Sequence, residues 1–167
     1  MFVAQRPSDS SKPAAYRELN AQLAGLFEGE RDGLANCANL AALFYELLPD
    51  LNWAGFYFLR GQELVLGPFQ GRVACVRIAL GRGVCGTAAR ERRTIVVPDV
   101  HAFPGHIACD ARSCSEIVLP LLDGEKLLGV LDLDSPCGGR FDQDDADGLA
   151  TALQLLLKHS DLSRLWG

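Results

Sequence analysis

Between Pro98 and Cys114 the sequence gathers two histidines, His101 and His106, and two cysteines, Cys109 and Cys114, among loop formers. Three readings fit that grouping. An ordinary loop carries such residues by chance. A metal site is the second, because H-x4-H-x2-C-x4-C offers ligand types that zinc accepts, although the spacing matches no common structural zinc pattern. The third is a reactive thiol. A nucleophilic cysteine needs access and a stabilised thiolate. Cys109 lies in the loop, near His106 and just before the apolar stretch Ile117–Leu122.

A redox thiol commonly works with a second thiol that resolves it. Read as a strand, Arg72–Leu80 alternates so that Ala74, Val76 and Ile78 take the core face and Val73, Cys75 and Arg77 the other. That reading turns Cys75 towards the loop. Cys85 is a second candidate, in the glycine-rich stretch Gly81–Gly86 close to a helix start that lowers a thiol pKa. Carboxylates also share a face. In the strand Lys126–Asp134, Val130, Asp132 and Asp134 alternate to one side and Leu131 and Leu133 to the other, while Glu116 opens the neighbouring strand. Acids on an apolar strand are costly unless they bind an ammonium group or hold a proton. The alternative is a solvated outer face.

These groups need a scaffold, and the hydrophobic periods supply one. A helix is expected from Pro13 to Phe27, capped by Ser11, with Tyr16, Leu19, Leu23 and Leu26 at helical spacing. A second runs from Gly33 to Leu48, capped by Asp32, with Leu34, Cys37, Ala41, Phe44 and Leu48 as its apolar stripe. The period then changes. Asn52–Leu59 reads as a strand, Arg60-Gly61-Gln62 as a turn, Glu63–Leu66 as a short return strand and Gly67–Gly71 as a loop. After the strand Arg72–Leu80 come a short helix over Gly83–Arg92 and a brief strand over Thr94–Val97. Glu116–Leu122 and Lys126–Asp134 form a hairpin joined by Asp123-Gly124, and a helix capped by Asp142 runs from Gln143 to about Leu157. The expected fold is α+β: a mostly antiparallel central sheet, helices packed on one face, and a ligand pocket under loops on the other. Residues 1–10 are expected to be a flexible tail and 11–167 one domain. Gly81–Gly86 matches G-x-G-x-x-G, but the next helix is short and no further β-α-β unit follows, so it reads as a tight turn.

Composition narrows the function. A chain of 167 residues with 49% apolar content fills one core of ordinary size. The net charge of −5 is spread along the chain, and the short basic group at Arg90, Arg92 and Arg93 is interrupted by Glu91. Both observations argue against a nucleic-acid partner. Met1–Ser10 is polar, and no apolar run is long enough for a bilayer, so a cytoplasmic location without membrane contact is expected. In that reducing setting the six cysteines are not a disulfide scaffold, and the absence of C-x-x-C excludes a zinc ribbon or thioredoxin-type motif.

Several segments occur in an order that resembles a known family. They are Asn52-Trp53-Ala54-Gly55-Phe56-Tyr57, Gly67–Gly71, Gly81–Ala88, Phe103–Asp110, Ser115–Val118 and Leu131–Ser135. Together, over nearly everything from about residue 15 to 155, they closely resemble the free methionine-(R)-sulfoxide reductases, small stand-alone GAF-domain enzymes. The resemblance implies reduction of free L-methionine-(R)-S-oxide to L-methionine. It makes Cys109 the nucleophile that becomes a sulfenic acid, Cys75 the resolving thiol and Cys85 an auxiliary one. It makes Trp53 and Tyr57 pocket residues, and Glu116, Asp132 and Asp134 the acids that bind substrate and protonate the departing oxygen. It implies no bound cofactor or metal, thioredoxin as external reductant, and a homodimer. Cys114 departs from the family pattern and, five positions from Cys109, is a further thiol able to compete in resolution. The competing readings are a non-catalytic GAF small-molecule sensor and a thiol redox sensor. Cys109→Ser separates them, since a reductase loses turnover and a sensor binds unchanged.

Overall fold

The structure, a computed structural model, describes residues 2–8, 11–107, 110–163 and 165. Cys109, which the sequence singles out, lies outside them, as does part of the 1–10 segment.

Local chemistry sets the helices close to where the sequence puts them. Helix α1 (Lys12–Leu26) carries Pro13 in its first turn, where the missing N–H costs nothing, and buries Tyr16, Leu19 and Leu23. Helix α2 (Gly33–Leu47) begins at Asp32, whose carboxylate accepts the Ala35 N–H. Cys37 is fully buried on its inner stripe. Leu34 is not on that stripe: it is 53% exposed. Gly33 packs instead against Asp161 and Leu162, where Asp32 and Asp161 form a bridge, and the next residue is thereby rotated outward.

Six strands follow: β1 (Trp53–Arg60), β2 (Glu63–Gly71), β3 (Arg77–Ala79), β4 (Ile95–Val97), β5 (Ser115–Asp123) and β6 (Lys126–Ser135). They form one sheet in the order β3-β2-β1-β6-β5-β4, with every neighbouring pair antiparallel. Two expectations are corrected here. Gly67–Gly71 is not a loop but the continuation of β2, which bulges: Gly55 pairs with Phe69 and Tyr57 with Leu66, leaving Gly67 and Pro68 opposite Phe56. Glycine is required at 67 because a Cβ there would strike the Phe58 ring. The expected strand Arg72–Leu80 is regular only over β3. Just before it two backbone carbonyls go to side chains instead: Trp53 Nε1 donates to the Arg72 carbonyl at 3.1 Å and the Tyr57 hydroxyl to that of Cys75 at 3.0 Å. The strand alternation therefore fails there, and Val73 and Val76 are both exposed. The β5–β6 turn is Gly124-Glu125, one residue later than expected, with Asp123 paired to Lys126 and Gly124 at φ +59°.

The sheet separates two cores. Leu119, Leu131 and Leu133 pack with α1, α2 and the closing helix α4 (Gln143–His159) on one face. Trp53, Tyr57, Val118 and Val130 take the other, under helix α3 (Gly83–Glu91) and the loop after β4. Helices thus cover one face as expected, with α3 the exception that roofs the opposite one. Asp145, fully buried at the start of α4, ties the helical layer together. It receives Lys12, the Arg140 guanidinium at 2.9 Å, the Tyr16 hydroxyl at 2.9 Å and the Asp142 N–H at 2.9 Å. Asp142 caps the same helix, completing a capping box. Ahead of α1, Gln5 and Ser8 bond to Gln22 and Glu18. Among the described residues no helix is long and apolar enough to cross a membrane.

Candidate active site

The pocket opens on the α3 face of the sheet, and period-two alternation puts acids into it. On β6, Leu131 and Leu133 enter the helical core while Val130 enters the second one and Asp132 lines the pocket. In the β5–β6 register Glu116 stands opposite Asp134, and Val118 opposite Asp132. Glu116, Asp132 and Asp134 therefore lie together, and all three line the pocket. Glu116 and Asp132 are only 5% and 6% exposed, which removes the solvated-face reading. Trp53 and Tyr57, from β1 on the other side of β6, form an aromatic wall with Phe69, with Trp53–Phe69 centroids 5.3 Å apart and Trp53–Tyr57 5.9 Å.

Helix α3 brings the thiol. Positive φ at Gly81 (+82°) and Gly83 (+59°) folds the chain into the tight turn that the glycines were expected to make. Cys85, in the first turn of α3, then points at the acids: its Sγ is 3.2 Å from Asp132 Oδ2 and 3.9 Å from Glu116 Oε1. The helix start does not win over this surrounding. Burial, with the negative charge of Asp132 and Glu116, pushes the Cys85 thiol well up. Reading Cys85 as a low-pKa thiol is corrected accordingly.

The same physics holds protons on the acids. Burial raises Glu116 well above the carboxylate range, and the charges of Asp132 and Asp134 add to it. Burial pushes Asp132 up to about 7, opposed by hydrogen bonds from Cys85 and Glu116. Asp134 is raised by desolvation and by Asp132, with Ser113 hydrogen-bonding to it in opposition. No Lys or Arg among the described residues makes an ion pair with any of the three; the nearest base is His106, whose Nε2 is 3.6 Å from Glu116 Oε2. Burial and then His101 lower the pKa of His106, so it stands neutral beside Glu116 near pH 7. This arrangement can donate a proton to a bound oxygen and can receive a cationic group.

Other pocket residues gave less signal in sequence. Asn52 donates to Ser113 Oγ at 3.0 Å and to Asp110 at 3.2 Å, which pins the end of the 98–114 loop to the start of β1. Ser113 read only as a loop former, and its partner lies 61 residues away. Of the remaining thiols, Cys75 is half-buried next to the pocket residues Val73 and Ala74, Cys114 is half-buried and Cys137 exposed. Cys114 is held by its backbone between Ser135 and Val100. His101, His106 and Cys114 do not gather into a metal-binding group among the described residues; Cys85, Glu116 and Asp132 do.

The comparisons with known proteins agree with this geometry. The GAF domain family model matches residues 38–156. Free methionine-R-sulfoxide reductase of Escherichia coli is 53% identical over 148 residues, 89% of this chain and 90% of that protein. The protein of the same name from Saccharomyces cerevisiae is 42% identical over 90% of this chain and 88% of its own length. The X-ray structure of free methionine-R-sulfoxide reductase from Neisseria meningitidis in complex with its substrate superimposes with a TM-score of 0.92 at 44% identity, covering 99% of both chains. With the GAF model matched over most of its length and relatives of this identity covering nine-tenths of it, the chain belongs to the free methionine-R-sulfoxide reductase family of GAF-domain proteins.

Proposed function

We propose that this chain reduces free L-methionine-(R)-S-oxide to L-methionine, with Cys109 as the nucleophile. The observation that carries the reading is the buried, proton-holding group Glu116, Asp132 and Asp134, unpaired with Lys or Arg among the described residues and walled by Trp53 and Tyr57. A sulfoxide oxygen leaves sulfur poorly until it is protonated, and these acids hold the proton at neutral pH. A free amino acid also brings an ammonium group, which the same acids neutralise. The aromatic wall suits the S-methyl end.

The Cys109 sulfur attacks the sulfoxide sulfur while an acid of the group protonates the oxygen. The oxygen passes to Cys109, methionine leaves, and Cys109 is a sulfenic acid. A second thiol attacks it, releasing water and closing a disulfide. Cys75 is the proposed partner, supported by its place beside the pocket. Cys85 is the alternative, although its raised pKa makes it a slow attacker. A thioredoxin-type dithiol then reduces the disulfide. No bound cofactor takes part, the location is cytoplasmic, and the working form is a homodimer.

A thioredoxin-coupled assay with free R, free S and peptide-bound methionine sulfoxide tests the reading. Turnover of the free R form, abolished in Cys109→Ser, is expected. Binding without turnover in the wild-type protein makes it a sensor instead, and equal rates on both epimers remove the stereochemical part.

A further inference from the structure

We propose that Cys85, Glu116 and Asp132 form a binding site for a borderline-soft divalent cation of the zinc type, and that its occupation excludes the sulfoxide. One ligand atom from each of the three lies within 4.8 Å of the others, and all three residues are buried. Tetrahedral zinc, with bonds of about 2.3 Å to sulfur and 2.0 Å to oxygen, sets sulfur and oxygen ligands about 3.5 Å apart. The Cys85 Sγ distances of 3.2 Å to Asp132 and 3.9 Å to Glu116 bracket that spacing. Asp132 Oδ1 is an independent sign. It is buried, on a side chain of a residue only 6% exposed, and accepts no hydrogen bond from the described residues. A desolvated acceptor of this kind calls for a donor or a cation.

The donor set selects the ion. A thiolate with two carboxylates excludes magnesium and calcium, which prefer all-oxygen shells, and suits zinc, cobalt or cadmium. His106 stands outside this group, its Nε2 3.6 Å from Glu116 Oε2. As the ion enters, the Cys85 thiol and the protonated carboxyl release their protons to water, so no oxidant or reductant is needed. This ligand set is not the loop grouping of His101, His106, Cys109 and Cys114. The binding stands on geometry alone; the exclusion of substrate rests on the function proposed above, because the ion takes the acids that receive the ammonium group and protonate the oxygen.

The test is a titration of the reduced full chain with Co2+ and then Zn2+ in a Cys109→Ser background, which removes the proposed nucleophilic thiol. One ion per chain is expected, with a thiolate-to-cobalt charge-transfer band. Cys85→Ser should abolish the band and weaken binding at least about tenfold. Glu116→Gln and Asp132→Asn keep the thiol, and should retain the band while weakening binding by a similar factor. A double Cys114→Ser, Cys137→Ser variant should bind unchanged. The absence of a band in the Cys109→Ser protein, its survival in Cys85→Ser, or its loss in the double variant overturns the site. In wild type, Zn2+ should inhibit turnover at the concentration that fills the site, and free methionine-(R)-sulfoxide should displace it. Binding without that competition overturns the exclusion. A protein that turns over no sulfoxide yet shows the band refutes the reductase reading and leaves the cation site standing.

Discussion

Two groups of buried acids lie on opposite faces of the same sheet, and they are built by opposite rules. Asp145 is wholly buried, but two cations, a hydroxyl and a backbone N–H converge on it. Glu116, Asp132 and Asp134 share a pocket with a thiol, a neutral histidine and each other. The first group spends its charge inside the protein and leaves nothing for a ligand. The second holds protons because no cation offsets its burial, and a cation or a proton acceptor from outside is what it lacks. Burial is common to both, so it is the balance of partners that separates an acid that holds the fold from one that does chemistry.

The largest effects should divide along that line. Glu116→Gln removes a proton donor of the pocket and should lower kcat for free methionine-(R)-sulfoxide by about 10²- to 10⁴-fold, the usual range for a general acid. Its unfolding free energy should stay level or rise, since a buried carboxyl that no Lys or Arg offsets is gone. Asp145→Ala should do the reverse. It strands Lys12 and Arg140, and losing one partner of a buried ion pair costs about 3–5 kcal/mol. Urea unfolding reads the second change and steady-state kinetics the first. A large loss of stability in Glu116→Gln, or of kcat in folded Asp145→Ala, breaks the comparison.

The two groups respond to pH with opposite sign. Asp132 is raised to about 7 from an ordinary 3.8. Between those values the folded chain holds a proton that the unfolded chain has released, so the Asp132 contribution to stability falls as pH rises from about 4 to 7 and is level above. The titration belongs to the three coupled acids together. Asp132→Asn should lessen this fall, gaining roughly 2–4 kcal/mol on wild type at pH 8 and little at pH 4. Asp142, beside Asp145, is held below its ordinary value chiefly by its hydrogen bond from Lys12. Its contribution is present above the unfolded pKa and is lost as pH falls through the folded one. Urea titrations from pH 3 to 8 on wild type, Asp132→Asn and Asp142→Ala read the two slopes, and slopes of the same sign contradict the assignment.

The sequence showed one of these groups far better than the other. Asp132 and Asp134 were legible because a strand has a period of two: with Leu131 and Leu133 in the core, their neighbours must face away. Glu116 followed from the hairpin. Asp145 read only as one acid among several at a helix start, since its partners at 12, 16 and 140 are brought together by packing that no local pattern encodes. The two misread segments have the same cause. Residues 72–76 carry strand-forming valines, yet Trp53 and Tyr57 take two of their carbonyls from across the pocket. Gly67 and Pro68 look like a loop, yet they absorb one extra residue in a paired strand. The Cys85 thiol was judged by its helix start, and the acids that decide its protonation come from β5 and β6, more than thirty residues on.

The smallest effect tests where the structural group ends. Asp142 touches both of its functions: its carboxylate accepts the N–H groups of Asp144 and Asp145, and it pairs with Lys12 at 2.8 Å. Its side chain is 55% exposed, while that of Asp145 is wholly buried. Water therefore screens the Asp142–Lys12 pair to about 1 kcal/mol or less, and Lys12 keeps Asp145 when Asp142 is removed. What Asp142→Ala loses is chiefly the cap, about 1 kcal/mol. A double-mutant cycle with Lys12→Met should show weak coupling to Asp142, under about 1 kcal/mol, and stronger coupling to Asp145. Equal couplings mean that the whole group acts as one charge network, and the boundary drawn between a buried, matched acid and its solvated neighbour is then misplaced. Turnover should be unchanged in Asp142→Ala, because the sheet stands between α4 and the pocket.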